Sequence, residues 1–139
     1  MEPTKPILSI CMTCRDGRED ACDARGGARL ARRVAERLAR NNDPQIQLRG
    51  VQCMSQCKRS CIISLAAEGR FTYVFGELDS DDDTYVDALF ELVSQYSIAP
   101  EGFLERKYRP SPLQSSILGR LPPPDSQSPL VSDLMLAET

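Results

Sequence analysis

The stretch CMSQCKRSC, residues 53–61, places a thiol at every fourth position of a polar, basic segment: Cys53, Cys57 and Cys61. Cysteine often serves as a small buried hydrophobe. The intervening Ser55, Gln56, Lys58, Arg59 and Ser60 are residues that a core rejects, so packing alone does not explain these sulfurs. A second group, Cys11, Cys14 and Cys22, lies near the N-terminus. A fold for this chain has to account for both groups.

The cellular setting decides what such thiols do. The opening MEPTKPILSICMTC holds only a short apolar run before Cys11, well below the roughly seven to fifteen residues of a signal-peptide core. No stretch approaches the roughly eighteen apolar residues of a membrane span. A cytoplasmic location without membrane contact is therefore expected. Thiols stay reduced there, so six cysteines point to metal binding or redox chemistry more than to a disulfide framework. The chain has no histidine at all, which removes His-containing zinc sites, Rieske-type clusters and every His-based acid–base mechanism.

The 139 residues suffice for one domain with its own core, and 41% hydrophobic with 27% charged residues is an ordinary soluble composition. A net charge of −3 argues against nucleic acid as a partner. Arginines and lysines concentrate between Arg15 and Arg59, and acids follow at Glu77, Asp79, Asp81, Asp82, Asp83, Asp87 and Glu91. That asymmetry is read either as solvated helix surface or as a field that orients a partner.

The apolar pattern gives the elements. PILSI, residues 6–10, reads as a buried strand ending at Cys11, and the Asp/Arg/Gly-rich loop after it carries Cys14 and Cys22. From Ala28, the spacing of Leu30, Val34 and Leu38, with arginines on the opposite face, predicts an amphipathic helix that NNDP, residues 41–44, ends. Ile46 and Leu48 alternate with polar residues as in a strand, and Gly50 suggests a bulge at its end. CIISLAA and FTYVFGEL, separated by EGR, predict a hairpin. In SDDD, residues 80–83, Ser80 is the expected N-cap of a second helix that buries Val86, Leu89, Phe90 and Val93.

Strand, helix, strand, hairpin, helix is the layout of a thioredoxin-like α/β core: a mixed four-stranded sheet, formed by a βαβ unit plus a β-hairpin, with two main helices. Residues 1–99 are read as this metal- or cluster-binding domain. Seven of the ten prolines lie from Pro100 onward, so residues 100–139 are expected to form a proline-rich C-terminal arm without regular elements. This arm would rest on the body through Phe103, Tyr108, Leu113 and Ile117, with a disordered end after about residue 124.

Parallel neighbours present their C-terminal ends on one edge of a sheet, so the two cysteine groups are expected to meet there. A 2Fe-2S cluster needs four thiolates, and zinc takes the same number. Arg15, Arg18, Lys58 and Arg59 lie close enough in sequence to offset the negative charge of a cluster. Thiol–disulfide exchange through Cys11 and Cys14 is the less favoured alternative. A long polar loop separates Cys14 from the helix, and no proline lies between Pro44 and Pro100 to stand opposite the motif.

Cys11, Cys22 and CMSQC (residues 53–57), set on this order of elements, resemble the thioredoxin-like 2Fe-2S ferredoxins. The longer set CMTCR, CMSQCKRSC, TYVFGEL, YRP and RLPP, spanning about residues 7–124, is similar to a bacterial family of small predicted metal-binding proteins related to them and sometimes associated with cobalamin synthesis. The resemblance implies an electron carrier rather than an enzyme. It implies Cys11, Cys22, Cys53 and Cys57 as cluster ligands, with no catalytic residue. Cys14 is the alternative to Cys22, because C-x-T-C belongs to the closer signature. Cys61 is read as a buried residue opening a strand. A redox protein is the expected partner, and related ferredoxins make a homodimer a further expectation. Zinc binding or metal delivery, with surplus thiols helping to load an ion, is the competing reading.

Overall fold

Ile7–Cys11 forms β1, Gly26–Asn41 α1, Gln47–Val51 β2, Ile63–Ala66 β3, Thr72–Phe75 β4, Asp83–Ile98 α2 and Ile117–Leu121 β5. The structure is a computed structural model and describes residues 5–15, 24–41, 46–55 and 61–135. The sheet has five strands in the order β2-β1-β3-β4-β5. β1 and β2 are parallel across the α1 crossover, and the other three pairings are antiparallel. This is the expected thioredoxin-like arrangement with one strand more than the four anticipated. Pro112 and Pro122 bracket a proline-free run, and that run supplies β5, which covers the edge that β4 would otherwise leave unpaired. Three single-turn 3-10 helices, Pro100–Gly102, Arg106–Tyr108 and Ser111–Leu113, also lie in the arm. Proline there suits one-turn elements because a first helical turn leaves its N–H groups without intrahelical partners.

Alternation along the strands sorts the layers. Leu8, Ile10, Ile63, Leu65, Tyr73 and Phe75 face Leu30 and Val34 of α1 and Val86, Leu89, Leu92, Val93 and Tyr96 of α2 in one continuous core. Truncating Leu30, which is fully buried, to alanine should cost about 2–5 kcal/mol on this packing alone. The charges read from the sequence meet each other: Arg29 pairs with Asp81 at 3.2 Å, Arg37 with Asp87 at 2.7 Å, and Arg33 with Asp83 between them. The basic face of α1 and the acids just before and within the first turns of α2 thus align the two helices side by side. Arg37 also lies over the Phe90 ring, 5.6 Å from its centroid.

Local details depart from the sequence reading in three places. The N-cap of α2 is Asp82, whose carboxylate accepts the Thr84 N–H at 2.9 Å, whereas Ser80 is buried and accepts a hydrogen bond from the Arg29 guanidinium at 3.2 Å. No bulge occurs at Gly50, which pairs in register with Ile10. The glycine is needed because a Cβ there would come within 2.7 Å of Met12 Cγ. Tyr108 is 61% exposed rather than seated on the body, while Leu113 is fully buried and Phe103 and Ile117 pack against the core.

The arm is fixed by polar groups that the core offers it. The Tyr73 hydroxyl accepts the Leu104 N–H at 2.6 Å, and the Tyr96 hydroxyl donates to the Phe71 carbonyl at 2.5 Å. The buried Arg109 guanidinium donates to the carbonyls of Leu113 and Gln114 at 3.1 and 2.9 Å. Arg70 caps the last turn of α2 through the carbonyls of Tyr96, Ser97 and Ala99. Gly102 sits at φ +67°, and a Cβ there would stand 2.5 Å from the Tyr96 ring.

Burial pushes the Tyr96 phenol up to about 12, against the pull of Arg70. Below about pH 10, both folded and unfolded chains hold this proton; above it, the unfolded chain releases the proton first, so stability falls as pH rises toward about 12. Tyr96→Phe should therefore lose about 1 kcal/mol at pH 7 through the missing hydrogen bond. Between pH 10 and 12 its stability should decline less steeply than that of wild type, which denaturant titrations across this range would measure.

Candidate metal centre

Cys11 is the last residue of β1 and stands opposite Val51, the last residue of β2, so the two loops leave the sheet from one edge. Backbone bonds run both loops together. Met12 N–H donates to Val51 O at 2.7 Å, and Cys11 N–H donates to Ile62 O at 2.9 Å on the other neighbour. The Thr13 hydroxyl donates to the Gln52 carbonyl, reaching across to the residue before Cys53. Met54 packs against Cys11, and Ser55 N–H donates to Cys53 Sγ at 3.3 Å. Cys11 is 2% exposed, whereas Cys53 is exposed.

Cys14 turns inward. Its residue is 4% exposed, and its side chain packs with Cys11 and Ile62. Cys11, Cys14 and Ile62 form a small apolar cluster with Met54 and Val74 against it, separate from the main core. Cys61 belongs to the main core, fully buried, with its backbone at φ +53°. The N-terminus of α1 closes this corner: Gly27 N–H donates to Cys14 O at 3.1 Å, and a Cβ at Gly27 would stand 1.8 Å from the Cys11 carbonyl oxygen. The first turn of α1 contains no acid, so the positive end of its dipole faces the turn that carries Cys11 and Cys14.

Residues 8–123 match the model of a family described as a protein of unknown function, DUF1636. The chain belongs to that family. A search of the curated proteins finds no match. Among solved structures, this DUF1636 chain is similar to a thioredoxin-like [2Fe-2S] ferredoxin from Aquifex aeolicus, at 16% identity and a TM-score of 0.51, covering 88% of this chain and 97% of the other. A second structure, the wild-type thioredoxin-like [2Fe-2S] ferredoxin from the same organism, aligns at 14% identity and a TM-score of 0.43, over 66% of this chain and 84% of the other. At such identity the first likeness establishes the fold.

Of the sulfurs singled out in this DUF1636 sequence, Cys11 and Cys53 are brought to one sheet edge, Cys14 lies behind Cys11, and Cys61 lies in the core. Cys22 and Cys57 lie outside the described residues, as do Arg18, Lys58 and Arg59, whereas Arg15 is exposed. Among the described residues, no three His, Cys, Asp or Glu side chains gather as metal ligands, so these thiols alone do not complete a site. Thr13, Gly27 and the backbone of residues 54 and 61–62 are the parts that sequence reasoning missed. The threonine of C-x-T-C and the paired glycines at the helix start were the available signals. No described helix is long and apolar enough to cross a membrane.

The two neighbouring thiols are driven apart electrostatically. Burial alone would raise Cys11, but hydrogen bonds from the side chains of Cys14 and Thr13 and the backbones of Met54 and Thr13 outweigh it and hold Cys11 below its ordinary value. For Cys14, burial dominates and, with Cys11 beside it, pushes the thiol up to about 11 despite the N–H groups of Ile62 and Cys61. Of the two, Cys11 is thus the thiol that gives up its proton more readily, and the thiolate is the form that binds metal.

In reduced, metal-free protein near pH 8, iodoacetamide should modify exposed Cys53 well before Cys14, with peptide mass spectrometry reading the order. Gly27→Ala should lose about 1–3 kcal/mol, because its Cβ meets backbone rather than a movable side chain. Thermal unfolding of the two proteins checks this.

Proposed function

We propose that this protein is a small electron carrier holding one 2Fe-2S cluster between Cys11, Cys22, Cys53 and Cys57. The observation that carries the reading is the cross-linking of the two loops: Met12, next to Cys11, bonds the carbonyl of Val51, and Thr13 bonds the carbonyl before Cys53. The fold likeness to a [2Fe-2S] ferredoxin supports it.

The residues present fit such a group by the chemistry of their donors. Thiolate ligands require partners that stabilise negative sulfur: Cys53 receives the Ser55 N–H, and the Thr13 hydroxyl lies 3.6 Å from Cys11 Sγ. Bound there, a cluster supplies a one-electron couple. The chain's own contribution is positioning and shielding. Ile62, Val74 and Met54 keep water from the Cys11 side, and the α1 N-terminus offsets negative charge on it. Cys53, at the exposed side, gives electrons a short way to a redox partner. A cytoplasmic home and a redox protein as partner follow from this reading.

Anaerobic purification with iron, sulfide and zinc analysis tests it. Equal iron and acid-labile sulfide, a visible chromophore and a reversible one-electron signal are expected; zinc in place of iron, or a protein that stays iron-free after reconstitution, would contradict the reading. Cys53→Ser and Cys57→Ser should lose or strongly perturb the chromophore, while Cys61→Ser should leave it largely intact because that side chain is in the core.

A further inference from the structure

The two loops of the candidate centre are held unequally. The Cys11–Cys14 turn is bound twice to the start of α1: Gly27 N–H donates to the Cys14 carbonyl at 3.1 Å, and the Arg25 guanidinium donates to the Thr13 carbonyl at 3.0 Å. The segment after β2 has less behind it, since Gln52, Cys53 and Ser55 are all exposed. It is nevertheless held in a particular shape. Ser55 sits at φ +60°, a backbone region that residues other than glycine seldom adopt, with its N–H directed to Cys53 Sγ at 3.3 Å. The bond from Met12 N–H to Val51 O ends the β1–β2 pairing. Beyond it, among the described residues, one hydrogen bond links this segment to the turn: the Thr13 hydroxyl donates to the Gln52 carbonyl, 39 residues away in the chain and directly before Cys53.

We propose that the Thr13 hydroxyl is the strut that fixes the Cys53 loop against the Cys11–Cys14 turn, so that Cys11 and Cys53 stand at a set separation before any metal arrives. The inference rests on the cluster reading above and adds a positioning residue to it: Thr13 acts through the backbone at Gln52 and is not itself a ligand. Because Arg25 holds the Thr13 backbone to the start of α1, the hydroxyl is presented from a fixed base. The bond lies at the exposed rim, so water can take the place of a missing hydroxyl at the Gln52 carbonyl. Removing the hydroxyl therefore costs the fold as a whole little and costs the loops their link. A site whose ligands are held beforehand binds more tightly, because less ordering accompanies binding.

Thr13→Val, which keeps the shape without a donor, and Thr13→Ser, which keeps the hydroxyl, are compared with wild type as full-length chains. Hydrogen exchange of the Met54 and Ser55 amides in metal-free protein reads the loop, iron loss to excess EDTA from the reconstituted protein reads the site, and thermal unfolding reads the fold. Thr13→Val should exchange these amides roughly two- to tenfold faster, the range that one hydrogen bond supplies, and lose iron faster than wild type, while melting close to it with an unchanged EPR spectrum. Thr13→Ser should restore both rates. Since the same hydroxyl stands 3.6 Å from Cys11 Sγ, a Thr13→Val protein with wild-type exchange but a shifted EPR spectrum would assign it to that sulfur instead. Exchange and iron retention both as in wild type, or exchange that accelerates across the whole sheet with a lowered melting temperature, would equally overturn the inference; all three leave the cluster reading intact. A wild-type chain that takes up no iron removes the cluster reading and with it the purpose given to the strut, whereas exchange in the metal-free chain still shows whether the link exists. Should Thr13→Val not fold, Thr13→Ala is read in the same ways.

Discussion

Because β1 and β2 run in the same direction, with Cys11 opposite Val51, the loops that follow them begin side by side. Almost everything else at this end of the molecule depends on that parallel pairing. A parallel pair requires a crossover, which α1 supplies, and the crossover brings the N-terminus of α1 back under the Cys11–Cys14 turn. Gly27 allows the approach to be close enough for its N–H to bond the Cys14 carbonyl. The hairpin partner β3 then packs on the free side of β1, and Ile62, just ahead of it, offers its carbonyl to the Cys11 N–H and its side chain to Cys11 and Cys14. One strand pair therefore ties the Cys11–Cys14 turn to backbone from three other segments.

The rest of the fold holds that pair in place. The arginines of α1 and the acids just before and within the first turns of α2 keep the helices parallel to each other above the sheet, although the Arg33 and Arg37 pairs, whose acids are exposed, contribute at most about 1 kcal/mol each. More is gained from the apolar side chains beneath them, which are buried in one continuous cluster. The arm extends this core instead of hanging from it: β5 closes the β4 edge, and Tyr73 and Tyr96 send their hydroxyls to the backbone at Leu104 and Phe71.

The βαβ unit, the hairpin and α2 were legible because Leu30, Val34, Leu65, Phe75 and Leu89 recur with the periods of their elements. β5 was not, since proline density was averaged over a segment in which SSILGRL contains none. Ser80 was the expected cap because hydroxyls favour that position, but Arg29 engages it and Asp82 serves instead. At the candidate site, the meeting of Cys11 with the loop of Cys53 followed from strand direction alone. The inward turn of Cys14 did not, because spacing shows which sulfurs are neighbours in the chain and not which backbone N–H groups they meet. Neither Cys22 nor Cys57 lies among the described residues.

The proposal that sulfurs from both loops hold a pair of irons is open to iron K-edge X-ray absorption on protein purified without oxygen. It predicts iron surrounded by sulfur alone, with a second iron as its nearest metal neighbour. Iron bound through oxygen or nitrogen, or a lone metal with no second iron beside it, would contradict it.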